Sequence, residues 1–170
     1  EWINADKVMS LLEDSVSTNI KDGIPYGIAV GNHDNGWKPG NTKLYNKYFG
    51  ESRFSSRSYY GGHYGDKNDN HYAFFSASGM DFMVVFIEIS NNQKVNNDVL
   101  AWVNELLKTY HNRQVIIVSH FMIYKSGSWN GQGKEIFNTL KNNPNLFLML
   151  CGHVKGEGMR KDFVNPNQVY

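Results

Sequence analysis

Residues 114–120 read QVIIVSH, a continuous apolar run of strand length that ends in a histidine. Such a run suits a strand buried on both faces, as in a parallel sheet. On its N-terminal side, residues 98–110 set Val99, Leu100, Val103, Leu106, Leu107 and Tyr110 on one helical face, with Asn97 or Asp98 as the N-cap. On its C-terminal side, the Gly- and Ser-rich YKSGSWNGQG precedes a short helix around Lys134 to Lys141, and NLFLMLCGH reads as a last strand. Earlier still, HYAFFSASGMDFMVVFIEI divides into two strands at the turn Ser78-Gly79. IPYGIAVG predicts a further short strand, after a helix over residues 5–20 that aligns Val8, Leu11, Leu12 and Val16 and stops at KDGIP. The order helix, strand, hairpin, helix, strand, helix, strand predicts layered α/β packing.

The 170 residues suit one domain with a substantial core. Lys and Arg number 17 against 16 Asp and Glu, so the formal net charge of +1 gives no general attraction to nucleic acid or anionic membrane. One cysteine, Cys151, excludes an intrachain disulfide and a CxxC metal knuckle, and reads as a small buried hydrophobe. No apolar stretch approaches the roughly eighteen residues of a membrane span. Residues 41–70, rich in aromatics, Gly and Asn, read as a long surface excursion.

Three runs share one ending: IAVGNHD, IIVSH and LMLCGH each deliver a histidine at or just past the C-terminal end of a strand. That is the edge where α/β sheets assemble ligand sites, so His33, His120 and His153 are expected to converge. A single strand-end histidine is commonly a hydrogen-bonded surface residue; three of them favour a site. Imidazole suits Zn, Fe and Ni, and an amide oxygen, which Asn32 offers, suits Mn. A mixed nitrogen and oxygen set without thiolates points to a hydrolytic metal that activates water.

GNHD at 31–34, VSH at 118–120 and GHVKG at 152–156 together resemble the last three motifs of the calcineurin-like metallophosphoesterases. The likeness spans roughly residues 1–160, and the aromatic loop with YYGGHYG and NDNHY is similar to secreted bacterial members. The resemblance implies a layered α/β sandwich with mixed sheets and hydrolysis of a phosphomonoester or phosphodiester by a metal-activated hydroxide. It implies Asn32, His120 and His153 as ligands of one divalent ion, Mn, Fe or Zn, and His33 as the catalytic histidine at the phosphate; Asp34 would stand behind them. The family holds two metal ions. Its first two motifs, an Asp-x-His and a Gly-Asp-x-x-Asp, are absent, as expected of a fragment incomplete at both ends from a secreted or periplasmic protein. Lys155 stands where the family has a second histidine ligand, and an ammonium has no lone pair to offer. At most one bound ion is therefore expected here, and the alternative is a non-catalytic binding module that has lost one metal site.

His63, His71 and Tyr64, in the long polar loop, either wall a small-molecule or phosphoester substrate or pack the loop onto the domain. His111 reads as decoration of a helix C-terminus. Glu157 and Arg160 either reach the site or are surface charge. GWKPGNTK lacks the spacing of a phosphate-binding P-loop.

Overall fold

The computed structural model describes residues 1–90, 94–165 and 168–169, those from 163 onward by backbone alone. In chain order the elements are α1 (Trp2–Glu13), α2 (Ser15–Thr18), α3 (Asn32–Asn35), α4 (Lys43–Phe49), α5 (Glu51–Phe54), β1 (Tyr60–His63), β2 (His71–Ala77) and β3 (Met80–Ile87). They continue with α6 (Asn97–Thr109), β4 (Gln114–Ser119), α7 (Gly131–Leu140), β5 (Leu146–Leu150), β6 (Phe163–Asn165) and β7 (Gln168–Val169).

Five strands form one mixed sheet in the order β1-β2-β3-β4-β5. β1, β2 and β3 pair antiparallel, whereas β3, β4 and β5 run parallel. The β2–β3 hairpin turns at Ser78 (φ 51°) and Gly79 (φ 77°), the two positive φ angles that a tight two-residue turn requires. On one sheet face, Met83, Val85 and Ile87 of β3 and Val115 and Ile117 of β4 pack with Val103 and Leu107 of α6 and Ile136 and Leu140 of α7. The expected apolar face of α6 is thus the core contact, although its cap is Asn96, which accepts from Asp98 N at 2.9 Å. On the opposite face Ala73 meets Tyr45, Phe49 and Phe54 of α4 and α5. No helix among the described residues is long and apolar enough to cross a membrane.

Four expectations are corrected. IPYGIAVG forms no strand: residues 25–31 run as irregular chain outside any strand ladder, with Val30 O accepting from Ile89 N at 3.3 Å. The 41–70 excursion is built structure rather than a surface loop, because Tyr45 and Phe49, one helical turn apart, give α4 a buried face. The helix expected over 5–20 breaks at Asp14, whose carboxylate caps Val16 N, and its apolar residues point outward: Val8, Leu11 and Val16 are exposed. The face turned to the core carries Trp2 and Met9 instead, and beside it Asp6 (2.5 Å) and Glu13 (2.7 Å) pair with Arg53. Finally, Cys151 is exposed, since it follows the edge strand β5, where Phe147 and Leu150 are also half exposed.

His71 belongs to the core, not to a substrate wall. It is 1% exposed, its ring stacks on Phe86 at 4.5 Å, and Nδ1 donates to Asn68 O at 2.9 Å. Among the described residues Nε2 has no hydrogen-bond partner, and burial pushes the imidazole down to about 4. The unfolded chain takes up this proton near the ordinary value of about 6.5, the folded chain only near 4. Stability is therefore full at neutral pH, falls as pH drops below about 6.5, and has lost about 2 kcal/mol to this group by about pH 5. Urea denaturation across that range should show a shallower acid decline in His71→Phe; an unchanged slope would refute the assignment.

Candidate metal centre

Because β3, β4 and β5 are parallel, their C-terminal ends share one edge of the sheet. His120 follows β4 directly, His153 lies just past β5, and Asn32 opens the single turn α3. The structure brings these three together. His120 Nε2 lies 2.8 Å from Asn32 Oδ1 and 3.0 Å from His153 Nδ1. A neutral imidazole can place at most one proton among these contacts.

Each side chain is placed by backbone chemistry. Asp34 Oδ2 accepts from Gly31 N at 2.7 Å and closes the turn that holds Asn32. Asn35, wholly buried, anchors that turn to the end of β3 by donating from Nδ2 to Glu88 Oε1 (2.9 Å) and Ile89 O (3.1 Å). Gly31 leaves room for the histidine, since a Cβ there would stand 3.2 Å from both Cε1 and Nδ1 of His120. The carbonyl of His120 accepts from Gly152 N at 3.0 Å, tying the ends of β4 and β5. Beyond it, Val154 N donates to Gly152 O at 2.8 Å and His153 takes a left-handed backbone, φ 68°. Phe121 and Trp37 flank the His153 ring at 4.7 and 5.7 Å between centroids.

Burial, and then the charge of His153, hold the His120 imidazole below its ordinary range, against the pull of Asp34. His120 is thereby kept in the neutral, lone-pair form that a metal ligand needs. His33 is exposed on α3, and its charge also acts on His120, so it faces the same locality. Lys155 is exposed two residues past His153 and makes no ion pair among the described residues. His63 lies apart from the cluster, with Nδ1 3.0 Å from Tyr60 OH. Tyr64 packs on Trp102 at 5.7 Å and borders a separate cavity. Glu157 is exposed, and Arg160 pairs with Asp162 over the Trp129 ring, so both are surface charge.

The donor set fits a divalent ion in chemistry and spacing. Ligand atoms sharing a metal at about 2.1 Å lie roughly 3 Å apart, as His120 Nε2 does from Asn32 Oδ1 and from His153 Nδ1. Among the described residues no group of three or more His, Cys, Asp or Glu side chains could hold a metal. The cluster is two imidazoles and an amide, short of a complete coordination shell.

Sequence reasoning missed the supports. Trp37 follows the GNHD turn in a Gly-rich stretch and carried no metal signal. Gln132, 1% exposed, carried none either, yet it joins two strand ends: Nε2 donates to Glu88 O (3.1 Å) and Ser119 Oγ (2.8 Å), and Oε1 accepts from Ser90 N (2.9 Å). Gln132→Leu keeps the volume but strands a buried N–H and carbonyl, and should cost about 3 kcal/mol in urea denaturation. A change within about 0.5 kcal/mol would show that the brace carries no weight.

No family model matches the chain, and no solved structure matches it. The chain is similar to the uncharacterized protein YvnB of Bacillus subtilis (strain 168), 36% identical over 162 residues. That alignment covers 95% of this chain and 12% of the relative, so the chain spans about an eighth of that protein's length.

Proposed function

We propose that the chain carries part of a metal-dependent phosphoric ester hydrolase site of the calcineurin-like kind. The reading is carried by one observation, that His120 Nε2 lies within 3.0 Å of both Asn32 Oδ1 and His153 Nδ1 at the C-terminal edge of the sheet. The likeness of GNHD, VSH and GHVKG to that family's motifs supports it. Asn32, His120 and His153 hold one divalent ion, Mn, Fe or Zn. The bound ion would lower the pKa of a water to supply hydroxide and would offset charge on the phosphate oxygens.

The chain's own residues do the rest. Asn35 and Asp34 hold the turn rigid, so that Asn32 points at the histidines while His33, on the same turn, stays free and exposed. His33 in its protonated form approaches the phosphate and gives its proton to the departing alkoxide. Phe121 and Trp37 pack against the His153 ring and leave it open to solvent.

A second reading, a binding module with a single ion and no turnover, is favoured by Lys155, whose ammonium cannot take the place of a ligand. Calorimetric titration of residues 1–170 with Mn or Zn should show one site. His153→Ala and Asn32→Ala should each weaken it at least about tenfold. Monoester and diester turnover, measured in the full reading frame that encodes the chain, should fall about 100-fold or more in His33→Ala and rise in Lys155→His. Metal binding without turnover in either background would leave the binding module standing; binding indifferent to His153 would remove both.

A further inference from the structure

One strand over from His120, a cavity of about 390 Å³ opens at the C-terminal end of β3. That volume lies in the range of small-ligand pockets. Two of its wall residues are buried polar side chains with unused hydrogen-bonding capacity. Glu88, 9% exposed, takes two donors on Oε1, Asn35 Nδ2 at 2.9 Å and Gly40 N at 2.9 Å, and Oε2 has no partner among the described residues. Asn70, 8% exposed, spends Oδ1 on Glu88 N at 2.9 Å, and its NH₂ has no partner among the described residues. The two residues are thus joined side by side and present one spare acceptor and one spare donor.

The surrounding charge selects against ions of either sign. Asp66 and Asp69 stand on the wall with Glu88 and repel an anion. Lys67, Lys94 and the N-terminal end of α6, at Asn96 and Val99, disfavour a cation. A neutral ligand with neighbouring hydroxyls satisfies both open atoms, one hydroxyl donating to Glu88 and the next accepting from Asn70. The Tyr64 ring on the same wall gives such a ligand an apolar face to lie against.

We propose that this cavity binds a sugar-sized neutral polyol between the Glu88 carboxylate and the Asn70 amide. The binding needs no metal, so it stands whether or not the hydrolase reading does.

Amide NMR spectra of metal-free residues 1–170, titrated separately with glucose, galactose, N-acetylglucosamine, ribose and glucose 1-phosphate, test it. At least one neutral sugar should give saturable shifts in the millimolar range at Gly40, Asn70 and Val95. Glu88→Gln and Asn70→Asp should each weaken binding by about tenfold, with spectral dispersion retained. If either variant unfolds, the other decides, and the location of the wild-type shifts decides alone if both do. Glucose 1-phosphate, an anion, should bind no more tightly than glucose, and tighter binding of it would overturn the assignment of a neutral ligand. His153→Ala should leave the shifts unchanged. No shifts with any sugar, shifts located elsewhere, or binding indifferent to both variants would overturn the proposal.

Discussion

The side-chain amide of Gln132 answers three groups at once where β3 and β4 end: Ser119 Oγ, Glu88 O and Ser90 N. Parallel strands bring their C-terminal ends to a common edge, but the chain leaving each end must still satisfy backbone groups that the ladder no longer pairs. At this edge a buried amide does so from α7. The helix comes close enough because Gly133 has no side chain; a Cβ there would lie 2.2 Å from Met122 O. With Asn130 capping α7 and donating to Phe121 O, the segment just after His120 is held from both sides.

From that fixed edge the rest follows by short links. Asn35 ties the GNHD turn to Glu88, Gly31 sets how near the turn approaches His120, and the Gly152 N–H bond carries the edge across to β5. The Asn32, His120 and His153 cluster and the cavity therefore share a mechanical foundation, since the carboxylate of Glu88 serves the turn on one side and the cavity wall on the other. Such buried, mostly satisfied polar links position side chains more sharply than apolar packing, which constrains volume but not direction.

Periodicity told truly where packing is one-sided and strong. The α6 face, the apolar run before His120 and the Ser78-Gly79 turn were legible because each reports a local requirement: a buried stripe, a strand-length apolar segment, a positive φ. Of that segment's apolar residues only Val115 and Ile117 are fully buried, while Ile116 and Val118 on the other face are half-buried. Periodicity misled where long-range contacts decide the placement. Val8 and Leu11 of α1 face outward, while Trp2 and Met9 pack on the core and Asp6 and Glu13 pair with Arg53, some forty residues later in sequence. Residues 25–31 have the composition of a strand, yet a strand exists only with a neighbour, and no ladder reaches them here. His71 looked like loop chemistry but is sealed between Phe54 and Phe86, a placement that depends on aromatics far from it in the chain. Of the candidate cluster, His120 and His153 were readable as strand-end positions and Asn32 from the GNHD turn; the glutamine and tryptophan that support them were not, because one buried amide or one ring leaves no periodic trace.

The left-handed backbone at His153 has an evolutionary consequence. A side chain other than glycine at φ 68° carries a standing cost of about 1 kcal/mol, which glycine would relieve at once. Thermodynamic drift at this position therefore runs steadily away from histidine. A lineage released from the need for an imidazole at 153 would be expected to shed it early, and a lineage that retains it records selection for the ring rather than for the fold.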